Sequence, residues 1–210
     1  MKHIPALILA SSSPRRKNLL RTWGYNFSVQ PAAVEEIQPE GVGAARIVAI
    51  NAELKGQEVA SLHQAMDPGG DWLVLAADTL VECGGTIYGK PKDMAQAHQF
   101  IQELGGVTHS VFTGLWLYDG RNACVWQQVV ETRVRLARLN EQERKTLFSM
   151  VTPLDKAAGY GFQDAPEIVE QREGSITNVF GLPMLDLAQL IQRALAARHP
   201  PVQEFAHAGA

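Results

Sequence analysis

The chain has 210 residues, 46% of them hydrophobic and 20% charged, with a formal net charge of −3. That is a globular composition, long enough to bury a substantial core, and it excludes a protein held on nucleic acid by an overall basic field. Phosphate binding, if any, has to come from a local cluster of cations.

The first element is a short apolar run, Ala6 to Ala10, which suits a buried strand. It opens the stretch LILASSSPRRKNLL, residues 7 to 20, where three serines, a proline and three cations follow the apolar run. A secretion signal, a helix cap and an anion cradle compete for it. The secretion signal fails on detail: Lys2 and His3 make a weak positive region, Pro5 interrupts the apolar stretch, and Arg15-Arg16-Lys17 comes directly after it. Ser13 has the chemistry of a helix N-cap, and Pro14 suits the first helical position. Leu19, Leu20 and Trp23 space as the apolar face of that helix, and Gly24 is a natural stop.

Asn26 to Gln30 alternates as a second strand, and Glu35 to Gly43 reads as loop. Ala44 to about His63 is rich in helix formers, with Ile47, Ile50, Leu54 and Val59 predicted on its buried side. Pro68-Gly69-Gly70 breaks the chain before a buried central strand, Trp72 to Ala77, and Gly84-Gly85 signals a hairpin. Met94 to Leu104 reads as a helix, followed by extended stretches at His109–Leu117 and 123–138, the second long enough to bend or bulge. Asn140 with Glu143 makes a capping-box start for a helix through Met150. Ile168 to Gln171 is strand-like, Pro183 to Arg198 is an amphipathic helix, and residues 199–210 are expected to be a frayed tail. No repeat and no dividing linker occurs. The pattern predicts a single α/β domain over residues 1–198, with two lobes around a cleft. Cys83 and Cys124 match neither a metal-ligand spacing nor a disulfide framework, and read as reduced thiols of a cytoplasmic protein. No window approaches ~18 uninterrupted apolar residues, so no membrane span is expected.

Four clusters bear chemistry. Ser11-Ser12-Ser13-Pro14-Arg15-Arg16 places hydroxyls and forked cations where a helix start leaves backbone N–H groups free. It is neither a Walker loop nor a G-x-S-x-G elbow, and a plain capped helix fits it equally. Ala76-Ala77-Asp78-Thr79 sets a carboxylate directly after a buried strand, which suits a catalytic or metal-binding role or a simple strand-end hydrogen bond. Gly89-Lys90-Pro91-Lys92-Asp93 holds a lysine on a stiff loop, with Lys55 upstream; unaided, these are surface lysines. Asp155-Lys156-Ala157-Ala158-Gly159-Tyr160-Gly161-Phe162-Gln163 permits close backbone approach, and the Gln163 amide can both donate and accept toward a base edge.

The order of the blocks is more specific than any one of them. LILASSSPRR, LAADTLV, YGKPKD, LGGVTHSVFTG, PLDKAAGYGFQ and GSITNVFGLP together resemble the Maf family of nucleoside triphosphate pyrophosphatases over residues 7 to about 190. The resemblance implies an elongated mixed sheet with flanking helices, as in the inosine triphosphate pyrophosphatases. It implies cleavage of a nucleoside triphosphate between the α and β phosphates, with a divalent cation (Mg²⁺, or Mn²⁺ or Co²⁺) as cofactor and a homodimer as assembly. By the same resemblance Asp78 is the proton acceptor and, with Glu36, the metal ligand, Glu35 being the neighbouring register. Ser11, Ser13, Arg16, Lys55 and Lys90 bind phosphate, and Arg15, Thr79 and Gln163 set specificity. The Tyr160-Gly161-Phe162-Gln163 block resembles the dTTP/UTP group rather than the 7-methyl-GTP group. Asp164-Ala165-Pro166-Glu167 and Ile176 depart from the family pattern beside the implied base pocket. A nucleotide-binding regulator of cell division with little catalysis is the competing reading. No nucleic acid or membrane partner is expected.

Overall fold

The structure, a computed structural model, describes residues 5–160 and 166–198. Strands β1 (Ala6–Leu9), β2 (Phe27–Val29), β3 (Trp72–Cys83), β5 (Thr108–Asp119), β6 (Cys124–Leu136) and β7 (Val169–Glu173) join in the order β2-β1-β3-β5-β6-β7, and β4 (Thr86–Tyr88) pairs with β3. The helices are α1 (Pro14–Thr22), α2 (Ala44–Met66), α3 (Met94–Leu104), α4 (Glu141–Met150), α5 (Ile176–Val179) and α6 (Met184–Ala197). The α/β class, the mixed sheet and the flanking helices agree with the sequence-based expectation. No helix among the described residues is long and apolar enough to cross a membrane.

The local signals work as written. Ser13 caps α1 by accepting from the Arg16 N–H, with Pro14 at the first helical position. Asn140 and Glu143 form the reciprocal capping box of α4. α2 starts at Gly43, which has no side chain to cap with; Glu82 of β3 takes that role by accepting from the Ala44 N–H at 2.7 Å.

β3 is the organising strand, and it runs further than predicted. Along one edge it pairs with antiparallel β5 from Leu73 to Glu82. On the other edge, Trp72–Leu75 pairs with parallel β1 and Val81–Cys83 pairs with antiparallel β4. Between them, residues 76–80 have no strand neighbour on that edge among the described residues, and there the cleft opens. Asp78 therefore lies within a strand, not just after one. It is held by pairing to β5 on one side while its other side faces the cleft.

Alternation along β3 sends successive side chains to opposite faces. Val74 and Ala76 pack toward α2 with Ile8, Val59 and Trp116. Leu73, Leu75 and Ala77 pack toward α1 and α6 with Leu20 and Leu187. A separate core surrounds the far ends of β3, β5 and β6, where Val81 and Val111 meet Ile101 and Leu104 of α3 and Leu147 of α4. These cores lie on the two sides of the cleft.

α2 lies close on the sheet because two glycines permit it. A Cβ at Gly114 of β5 would stand 2.3 Å from the Val48 carbonyl oxygen, and one at Gly56 would stand 2.0 Å from the Trp116 ring. This approach selects small residues for the contact stripe. Val48, Asn51, Ala52 and Gly56 are buried beside Ile47 and Val59, while Ile50 and Leu54, expected in that stripe, are only partly buried. Trp23, expected on the apolar face of α1, is 43% exposed, and Leu19 and Leu20 supply that contact instead.

Candidate active site

A cleft of about 580 Å³ opens at the gap in β3. Ser11, Ser13, Arg15, Arg16, Glu36, Lys55, Asp78, Thr79 and Lys90 all line it, although they come from the β1–α1 connection, α1, the β2–α2 loop, α2, β3 and the loop after β4. Every candidate site residue from the sequence is brought to this cleft except Gln163, which lies outside the described residues.

The two faces of β3 divide the site. On the α2 face, Asp78 is 5% exposed. Its Oδ1 accepts from Lys55 Nζ at 2.7 Å, and its Oδ2 accepts from Asn51 Nδ2 at 3.1 Å. The same Lys55 ammonium lies 2.7 Å from Glu36 Oε1. It is Glu36, not Glu35, that reaches this cluster and lines the cleft. The two carboxylates thus already converge on one cationic atom. That donor set fits a hard divalent ion such as Mg²⁺, which takes one or two carboxylates together with substrate phosphate oxygens. Among the described residues no third His, Cys, Asp or Glu joins them.

On the opposite face, Thr79 points toward α1. Arg16 spends its guanidinium on three neutral oxygens: Nε donates to the Gly181 carbonyl at 2.8 Å, Nη1 to Ser11 Oγ at 3.1 Å and Nη2 to Thr79 Oγ1 at 3.1 Å. Thr79 Oγ1 is also 2.9 Å from Thr113 Oγ1 on β5. Burial pulls the Arg16 pKa below the ordinary arginine value, and nearby Asp78 pushes it back. Among the described residues no carboxylate bonds Arg16 directly, so its charge remains for an anion in the cleft. The start of α1 opens onto the same space, its Arg16 N–H capped by Ser13 and its Lys17 N–H bonded to the Ser13 carbonyl.

Arg15 crosses to the far wall. Its Nη1 donates to Asp155 Oδ2 at 3.0 Å and its Nη2 to the Asp155 carbonyl at 3.1 Å. Burial opposes ionisation of Asp155, but its Lys156 and Arg15 partners outweigh that and hold its carboxyl below the usual range. Lys90 is exposed and forms no ion pair among the described residues, leaving its ammonium free to meet phosphate.

Sequence reasoning missed two members. Asn51 sits one helical turn before Lys55, and the signal was present: a polar residue on the buried stripe of α2 needs a partner there. His109 is 2% exposed behind the cleft wall, with Nε2 2.7 Å from the hydroxyl of Tyr160, a cleft residue. With Nδ1–H directed at the Val107 carbonyl 3.4 Å away, Nε2 accepts from Tyr160. Burial lowers the His109 pKa to about 4 and raises that of Tyr160, so this pair is neutral at pH 7.

Comparison with known proteins agrees with the block order. A family model described as Maf-like protein matches residues 6–194. The chain is 37% identical over 186 residues to the dTTP/UTP pyrophosphatase of Latilactobacillus sakei subsp. sakei, covering 88% of this chain and 98% of that one. It is 35% identical over 188 residues to the dTTP/UTP pyrophosphatase of Pelotomaculum thermopropionicum, covering 89% and 95%. Among solved structures, the Staphylococcus aureus Ham1 protein aligns over 92% of this chain and 99% of its own, with 15% identity and a TM-score of 0.46. The chain belongs to the Maf-like protein family.

Proposed function

We propose that this protein is a nucleoside triphosphate pyrophosphatase that hydrolyses dTTP and UTP between the α and β phosphates, giving the monophosphate and pyrophosphate. The observation that carries this reading is the division of charge across β3. A clamped carboxylate faces one side of the cleft, and a half-buried guanidinium, with no carboxylate bonded to it among the described residues, faces the other. The names of the related proteins supply the nucleotides.

Hydrolysis of such an anhydride needs an activated water and neutralisation of charge gathering on the phosphoryl oxygens. Asp78 is the group to take the proton from water, because its two oxygens are already oriented by Lys55 and Asn51. Asp78 and Glu36 would hold the divalent cation, which when bound lowers the pKa of water and neutralises phosphate charge. Arg16, Lys90, Ser11, Ser13 and the start of α1 meet the phosphates from the opposite wall. Lys55 keeps the two carboxylates together until substrate and cation arrive. The reading places the enzyme in the cytoplasm, as a homodimer.

The test is pyrophosphate release with Mg²⁺ over dTTP, UTP and 7-methyl-GTP. Faster release from dTTP and UTP is expected. Faster turnover of 7-methyl-GTP overturns the substrate assignment, and tight binding without release overturns the enzymatic reading.

A further inference from the structure

The segment between β2 and α2, residues 30–43, contains no helix or strand, yet it delivers Glu36 to the cleft. His63 of α2 bonds the first residue of this segment, Gln30, and three further side chains of α2, spaced at i, i+4 and i+7 and so on one face, hold residues 33–37. Glu58 accepts from the Ala33 N–H at 2.6 Å, and Lys55 pairs with Glu36. Asn51 brackets Ile37, accepting from its N–H at 2.9 Å and donating to its carbonyl at 3.0 Å.

Asn51 does more than hold the loop. It is 3% exposed, and its Nδ2 also donates to Asp78 Oδ2 at 3.1 Å. One buried amide therefore touches the backbone next to Glu36 and the carboxylate of Asp78. The task requires an acceptor and two donors on one short planar group, which is what asparagine offers. Leucine, of the same branched outline but bulkier, offers none of the three bonds. Lys55 also joins Glu36 and Asp78, but through a flexible stem and a point charge that follows the carboxylates rather than fixing them.

We propose that Asn51 is a positioning residue that sets the spacing of Glu36 and Asp78, and through it the affinity of the pair for a divalent cation. The proposal rests on the reading of this cleft as a pyrophosphatase site. Without Asn51 the backbone beside Glu36 loses both of its Asn51 bonds, the remaining ties to α2 through Glu58, Lys55 and His63 do not reach Ile37, and Asp78 Oδ2 loses this donor.

The test uses Asn51→Leu in the full chain, with three readouts. Mn²⁺ binding without nucleotide, followed by electron paramagnetic resonance, is expected to weaken by about 10–100-fold, the span seen when a group that orients metal ligands is lost. Hydrogen exchange at the Ile37 amide is expected to accelerate. With dTTP, kcat is expected to fall by a similar ~10–100-fold while KM stays within about threefold, since the cations facing the phosphates are untouched. A folded variant whose Mn²⁺ binding equals that of the parent overturns the proposal, whatever its exchange rate or melting temperature. So does a parent protein that binds no Mn²⁺. If Asn51→Leu does not fold, Asn51→Ala is read by the same criteria. A parent whose Mn²⁺ binding weakens on Asn51→Leu but which cleaves no triphosphate overturns the proposed function and leaves the positioning role standing.

Discussion

Two partly buried arginines, one just after α6 and one in the cleft, are satisfied in opposite ways. Arg198, just after α6, has a side chain 5% exposed and is bonded to Asp119 at 2.5 and 2.6 Å and to Asp71. The Asp119 hydrogen bond raises its pKa, with burial acting against. Arg16, in the cleft, bonds three neutral oxygens, and burial lowers its pKa. The first charge is cancelled within the fold and ties the end of α6 to the sheet. The second is held in place by dipoles and left uncancelled, which leaves the cleft a standing demand for an anion. What separates a structural arginine from a ligand-binding one here is the charge of its partners, not its depth.

The largest effect is expected on the face of β3 opposite Arg16, where Asp78 sits. Asp78→Asn keeps the shape and the Asn51 contact but removes the base and one cation ligand. Measured pyrophosphate release should fall by ~10⁴-fold or more, the upper end for a positioned base, with a far-ultraviolet circular dichroism spectrum like that of the parent. Near-parental release removes Asp78 from the mechanism. The two arginines should then separate cleanly. Arg198→Met leaves Asp119, which is 0% exposed, without its cation. Breaking such a pair costs about 3–5 kcal/mol, and a melting temperature lower by roughly 10 °C is expected for a chain of this size. Turnover per folded molecule at low temperature should be unchanged. Arg16→Lys should do the reverse, because lysine keeps a charge but cannot hold the fork. Turnover is expected to fall by about 10²–10³-fold, with a smaller loss of melting temperature than Arg198→Met. Equal thermal losses with equal activities in the two variants would dissolve the comparison.

The contrast between these arginines also marks what could be read in advance. Residues whose role depends on their own neighbours in sequence were legible: Ser13 and Pro14 start α1, and Asn140 with Glu143 starts α4. The resemblance carried by the block order was enough to name nine polar residues that line the cleft. It was not enough to say how they pair. The continuation of β3 past Ala77 depends on β5 lying along its whole length and on β1 and β4 sharing its other edge. The burial of Asn51 in place of Ile50 and Leu54 depends on Gly56 and Gly114 admitting α2 close to the sheet. Arg198 read as the end of an amphipathic helix, because Asp119 and Asp71 are remote in sequence. Gln163, the residue assigned to the base edge, lies outside the described residues.

A smaller effect, on stability, is expected from His109 in the wall that backs the cleft. Its pKa in the folded protein is about 4, against an ordinary value of 6.5, because burial disfavours the charged ring. Between those values the unfolded chain binds a proton that the folded chain does not. The stability from keeping His109 neutral is therefore complete above pH ~6.5 and is lost as pH falls toward ~4, up to about 3 kcal/mol. Urea midpoints measured from pH 7 to pH 4 should fall accordingly. His109→Gln, whose amide oxygen can still accept from Tyr160, should flatten that part of the profile. An unchanged slope in the variant would assign the acid sensitivity to other groups.

The smallest effect is expected at the mouth of the cleft, and it sharpens the division between cancelled and uncancelled charge. Arg15 is paired like Arg198, but its partner Asp155 is 49% exposed. A pair this wet is worth about 0–1 kcal/mol, so Arg15→Ala, which leaves Asp155 paired with Lys156, should shift the melting temperature by no more than roughly 4 °C. Such a weak tie can be exchanged for a ligand, whereas the buried Arg198 pair cannot. Arg15→Ala should therefore leave the fold intact and change the relative rates on dTTP, UTP and 7-methyl-GTP, because this arginine reaches the wall that leads into the Tyr160 block. Equal slowing of all three nucleotides would make Arg15 one more phosphate cation beside Arg16.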